Sequence, residues 1–225
     1  MYSTLTDLTR RGSRLQFAWL AAAALLAAGL LRLVSLPAMN NDMLNAVIPW
    51  YTYLAENGRV AAWGDEFYHY TPGYIYLLTA ATYLPLPALA AIKVLSISFD
   101  LLGACFAYLI VARRTQTGPL PVLAGLLVLL APTVWVNSAY WGQADMIYTA
   151  LLLGTVYYAL ARRPLPAMLA FGLALAIKLQ AMFLAPWVLL LVLRGRIPWK
   201  TVFVVPLVFF ASLLPAAALG RPLGD

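Results

Sequence analysis

The chain has 225 residues, 64% of them apolar and only 10% charged, with a formal net charge of +7. Soluble domains run near half apolar and a quarter charged, so this composition and a mean hydropathy of +0.83 exclude an ordinary water-soluble domain and indicate a polytopic membrane protein. A positive balance can also mark a partner such as nucleic acid or anionic lipid. Here the placement of the charges assigns them to topology, and no nucleic-acid partner is expected.

Crossing ~30 Å of hydrocarbon takes a helix of ~20 apolar residues. The candidate stretches are 15–36, 71–84, 88–112, 120–136, 145–161, 165–193 and 201–219. The first follows Arg10, Arg11 and Arg14, which could open a signal peptide. Its 22 residues exceed a signal core and more spans follow, so it reads as a retained helix. Short loops rich in Lys and Arg stay cytoplasmic. With the N-terminus inside, helix 15–36 delivers the segment 37–70 outside. The stretch 71–84 is bracketed by Pro72, Gly73, Pro85 and Pro87 and reaches only ~21 Å as a helix. It is expected to lie along the surface, which lets 88–112 carry Arg113 and Arg114 inside.

The spans 120–136 and 145–161 then go out and back, placing Arg162 and Arg163 inside. Lys178 and Gln180 interrupt 165–193 near its middle. Two short helices folded there return Arg194, Arg196 and Lys200 to the inside, and 201–219 goes out again. This layout puts ten of the fifteen basic residues inside and leaves only Asp7 of the eight acidic ones there. The expected fold is all-α, with about seven transmembrane helices in one module over residues 1–225 and a large outer loop, 37–87, carrying juxtamembrane helices. No internal repeat is visible, which weakens a transporter built from inverted repeats. The lone cysteine, Cys105, cannot form an intrachain disulfide.

The polar residues that remain gather at the outer level. Asp42 follows the first helix. One reading is a general base, close to the membrane and poorly solvated. The other is a helix cap: Asn40, Asn41 and Asp42 precede an amphipathic stretch, 43–54, with Leu44, Val47, Ile48, Tyr51 and Leu54 at helical spacing. Lys178 is an ionisable group within an apolar segment, a functional candidate by default, with snorkelling or an ion pair as the plain alternatives. Lys93 could assist it or anchor a helix end at the interface. Trp141, Gly142, Gln143, Ala144 and Asp145 offer an aromatic face and polar groups suited to a sugar, or else a belt tryptophan and a helix cap. Asp100 is expected to pair structurally between helices; Arg32 and Arg221 could each reach a phosphate, with snorkelling the preferred reading. His69, beside Tyr70, is the only histidine, which argues against a zinc site. Asp42 has no DxD partner, and no metal is implied.

These residues together resemble the GT-C superfamily of membrane glycosyltransferases. The nearest likeness is to the bacterial polyprenol-phosphate-mannose-dependent type and to the mannosyltransferases of glycolipid-anchor assembly. The matching features are Asn41-Asp42 after the first helix, Tyr70-Thr71-Pro72 before a short one, Lys93 through Phe99-Asp100-Leu101-Leu102, Trp141-Gly142-Gln143-Ala144-Asp145, and Lys178-Leu179-Gln180 followed by Pro186, spread over 37–187. The resemblance implies a polyprenyl-phosphate sugar donor, an acceptor that is a glycan, glycolipid or protein, and inverting transfer at the outer face of a bacterial inner membrane. By position it gives Asp42 the part of catalytic base. Lys178 and Gln180 would map to the donor-phosphate region, with Asp145, Gln143, Trp141, Lys93, His69 and Tyr70 as further substrate-binding candidates. Members of the superfamily are usually nearly twice as long, with a variable C-terminal half. A transporter of lipid or anions, or a non-catalytic membrane subunit, are the rival readings.

Overall fold

The structure, a computed structural model, describes residues 2–115 and 118–222, with side chains from Leu15 onward. The side chains of Asp7, Arg10, Arg11 and Arg14, and all of Asp225, lie outside the described residues. Among those described, every regular element is helical. Helix α1 (Tyr2–Ser35) begins well before the expected 15–36, and its portion Leu15–Ser35 is long and apolar enough to cross a membrane. Helix α4 (Ala88–Ala112) has the bounds read from the sequence, and the stretch Trp199–Ala218, formed by α10 (Trp199–Val202) and α11 (Val204–Ala218), is the third of crossing length.

The expected single span 120–136 is broken. Helix α5 (Leu120–Leu130) and α6 (Pro132–Trp135), which runs on into a wide π-type turn at Val136–Tyr140, meet at a bend of 47°. Pro132 explains the break. Its ring drives the preceding residue out of the helical region, and Ala131 sits at ψ 123°. Counting the bent pair as one span gives four of crossing length among the described residues. The others, α7 (Asp145–Leu160), α8 (Pro164–Ile177) and Leu179–Leu193, are shorter.

The fold at Lys178 is present. Helix α8 ends where Lys178 turns extended, at φ −156° and ψ 127°, and a 3-10 stretch, Leu179–Leu184, leads into α9 (Ala185–Leu193). Val188 and Ile197 share a buried cluster with Ala167, Met168 and Phe171, so the chain doubles back along α8. Gly172 lets α11 approach closely: a methyl there would stand 2.8 Å from Val208 Cβ.

The outer segment is a packed cap. A π-type turn (Met43–Val47) leads into α2 (Ile48–Glu56), and α3 (Pro72–Ala81) follows a short 3-10 turn at Ala61–Gly64. Met43, Val47, Trp50, Tyr51 and Leu54 join Tyr68, Tyr74, Ile75, Leu78, Ile92 and Ile147 in one core. The expected apolar face is shifted by the wider turn, which places an extra residue per turn: Leu44 is 50% exposed and Met43 takes its place at 1%. The basic ends lie away from this cap. Arg113 stands over the ring of Tyr157 near the end of α7, and Ile197 packs with Ala167, one turn past Arg163. Arg113, Arg162, Arg163 and Arg196 therefore share one end of the bundle.

Candidate functional site

Where cap and bundle meet lies a cavity of about 590 Å³, lined by Asn40, Asn41, Asp42, Tyr70, Asn137, Trp141, Gln143, Asp145 and Lys178. Three local constructions build it.

The first is the link leaving α1. Pro37 cannot continue the helix. Asn40 then caps the next one, its Oδ1 accepting the Met43 N–H at 2.7 Å, while its Nδ2 donates to the Trp141 carbonyl at 3.3 Å. Because Asn40 caps, Asp42 does not: its side chain makes no cap bond, and Oδ2 accepts instead from Gln143 Nε2 at 3.0 Å. Asp42 is exposed, so the poor solvation expected from the sequence is not found.

The second is the turn joining α6 to α7. The π-type turn returns the Trp141 N–H to the Val136 carbonyl at 2.8 Å, and the Gln143 N–H to the Asn137 carbonyl at 2.9 Å. Gly142 sits at φ +66°, which favours glycine, and a methyl there would collide with the end of Met43. Asp145 is the first residue of α7, where a carboxylate suits the helix dipole.

The third is the tip of the α8–α9 hairpin. Lys178 Nζ donates to Asp145 Oδ1 at 2.5 Å and lies 5.4 Å from the centre of the Tyr70 ring. Asn137 Nδ2 donates to the other oxygen of Asp145 at 2.8 Å. The end of α8 is pinned to the cap: the Thr71 hydroxyl donates to the Ile177 carbonyl at 2.8 Å, and a side chain at Gly73 would run into the Ala176 carbonyl. The Thr71-Pro72-Gly73 start of α3 thus sets where Lys178 stands.

Of the residues singled out from sequence, Asp42, Tyr70, Trp141, Gln143, Asp145 and Lys178 line this cavity. His69 is exposed outside it, edge-on to Trp50, and Gln180, exposed on the 3-10 stretch, does not line it. Lys93 is neither in the cavity nor at an interface. It is fully buried below, donating to the carbonyls of Ser35, Leu36 and Ala38. Asn40, Asn41 and Asn137 are lining residues that sequence reasoning missed as such. Asn40 read only as a cap, Asn41 as a cap and as the neighbour of Asp42, and Asn137 stood one residue beyond a predicted span, where an amide in an apolar setting was the available signal.

Two arginines depart from expectation. Arg32 does not snorkel: it is 6% exposed, pairs with Asp100 at 2.8 Å and donates to the carbonyls of Ala28 and Leu129. Ser138 donates to the same Asp100 oxygen at 2.5 Å, which ties the turn carrying Asn137 to α1 and α4. Arg221 reaches back to the Asp65 and Tyr68 carbonyls and stacks over the Tyr68 ring at 3.7 Å. Among the described residues no three His, Cys, Asp or Glu side chains gather as a metal site would require.

An apolar helical bundle with helices long enough to cross a bilayer, bearing a charged cavity under a packed cap at one end, defines an integral membrane protein. Residues 68–222 match glycosyltransferase family 87, and the chain belongs to that family. It is therefore a membrane glycosyltransferase. Asp42 stands before the matched stretch, whereas Tyr70, Asn137, Trp141, Gln143, Asp145 and Lys178 fall within it. Neither a curated protein nor a solved structure matches the chain.

Proposed function

We propose that the chain transfers a hexose, mannose foremost, from a polyprenyl-phosphate donor to a hydroxyl of a glycan, glycolipid or protein, with inversion, at the outer face of a bacterial inner membrane. The observation carrying this reading is the convergence of Asp42, Asp145 and Lys178 on one cavity at the end of the bundle away from Arg113, Arg162 and Arg196. The GT-C likeness of the same residues supports it.

In this mechanism Asp42 takes the proton of the acceptor hydroxyl. The oxygen attacks the anomeric carbon as the bond to the phosphate oxygen breaks on the opposite face, and the electron pair leaves with the lipid phosphate. Asp42 suits the base because only Gln143 engages it among the described residues, whereas both oxygens of Asp145 are taken. Lys178 spends one N–H on Asp145, and an ammonium has three, leaving two for phosphate oxygens. Trp141 and Tyr70 offer faces to the sugar ring, and Asn41 offers an amide to its hydroxyls.

The test is transfer from labelled polyprenyl-phosphate mannose in reconstituted membranes. Asp42→Asn is expected to lose ~10²- to 10⁴-fold in turnover, the usual worth of a general base, with donor binding intact. Near-normal turnover would remove Asp42 from the role. Lys178→Ala is expected to weaken donor binding; unchanged donor affinity would make Lys178 a structural partner of Asp145 only.

A further inference from the structure

We propose that Lys93, which touches no substrate, is the positioning residue for Asp42. The proposal rests on the reading of Asp42 as the base. Lys93 rises from the first two turns of α4 into the angle where α1 ends, and it is fully buried. Its Nζ donates to the carbonyls of Ser35 at 3.0 Å, Leu36 at 3.0 Å and Ala38 at 2.6 Å. An ammonium has three N–H groups, so its donors are all matched.

The acceptors are informative. The last carbonyls of a helix have no partner within it, and a cation there also meets the negative end of the helix dipole. Here one side chain gathers carbonyls on both sides of Pro37, so it fixes the exit of α1 and the direction in which the chain leaves it. Asn40 and Asp42 follow at once on that link. The Lys93 stem also lies under Gly142, its Cγ 3.4 Å from where a side chain on Gly142 would begin. The same lysine therefore supports the two strands of chain that meet at the Asp42–Gln143 hydrogen bond. On the other side of the cavity, Asp145 follows Gln143 by two residues but stands as the first residue of α7, which packs along α8, so its contact with Lys178 is set by the two helices.

This asymmetry gives the test. In the full chain with Cys105→Ser, two cysteine pairs are made separately, Asp42→Cys with Gln143→Cys and Asp145→Cys with Lys178→Cys. Each is bridged in membranes with a short bifunctional thiol reagent, and the bridged peptides are followed by mass spectrometry. Adding Lys93→Met, which keeps the stem and removes the donors, is expected to slow bridging of the first pair by about tenfold, the scale of lost hydrogen bonds from a charged group, and to leave the second pair unchanged. Lys93→Gln, with two N–H donors, is expected to fall between. Unchanged bridging of the first pair overturns the proposal, and so does an equal loss in both pairs, which would make Lys93 a general packing residue. No turnover enters this measurement, so it stands or falls separately from the assignment of Asp42. In the native site, Lys93→Met is expected to lower kcat with the donor KM unchanged; a change in KM alone would also count against a role through Asp42.

Discussion

The two sides of the cavity are built on different terms. On the helix side, Asn137 and Lys178 donate to the two oxygens of Asp145, and the elements carrying them are tied into the bundle through Ser138, Thr71 and Gly73. On the link side, Asp42 stands exposed on a short exit from α1 with one hydrogen bond from a half-buried glutamine. Opposite charges that face each other hold a shape and offset each other's field. A carboxylate left with little to do is available to a substrate. The contrast teaches that the more elaborate polar cluster is not automatically the reactive one.

Four changes would break or sharpen that contrast. The largest effect is expected from Arg32→Met, which strands the buried Asp100 beneath the helix side. Removing one partner of a buried pair costs about 3–5 kcal/mol, to be read from unfolding in detergent. Arg32→Met with Asp100→Leu should recover most of it; no recovery would mean the pair is not the cause. Gly73→Ala comes next. The added methyl forces α3 off the end of α8, at about 1–3 kcal/mol for overpacking, and should weaken donor binding through Lys178. Unaltered stability and binding would show that the seam yields freely.

Asn40→Ala removes a cap on the link side, at about 1 kcal/mol of stability. It should also lower turnover more than donor binding, and the opposite split would place Asn40 on the donor. The smallest change is expected for Gln143→Ala, whose exposed hydrogen bond to Asp42 contributes about 0.5 kcal/mol. A stability loss as large as that of Gly73→Ala would show the link side to be as strongly built as the other.

Much of the frame was legible in the sequence because it depends on local signals. The bounds of α4, the fold at Lys178 and the arginine clusters at one end follow from apolar length, a charged interruption and basic pairs. Six of the nine candidate site residues line the cavity for the same reason: they are polar groups that an apolar chain keeps at a helix end. What escaped depends on long-range partners. Nothing near Lys93 in the chain says that its ammonium meets carbonyls more than fifty residues earlier. Arg32 and Asp100 each read plausibly alone, and their pairing is a fact of how α1 crosses α4. The face shift at Met43 comes from a single wide turn, which a fixed helical period cannot register.

The seam between Thr71-Pro72-Gly73 and the end of α8 has a mechanical consequence. A hydroxyl bound to the last carbonyl, with a glycine backbone laid against the one before it, leaves no slack there, so Tyr70 and Lys178 travel as one body. A hinge that admits or releases a bulky alcohol cannot lie between them. On the other jaw six residues, Leu36 to Asn41, join the end of α1 to Asp42, and there the Lys93 ammonium holds the carbonyls of Ser35, Leu36 and Ala38.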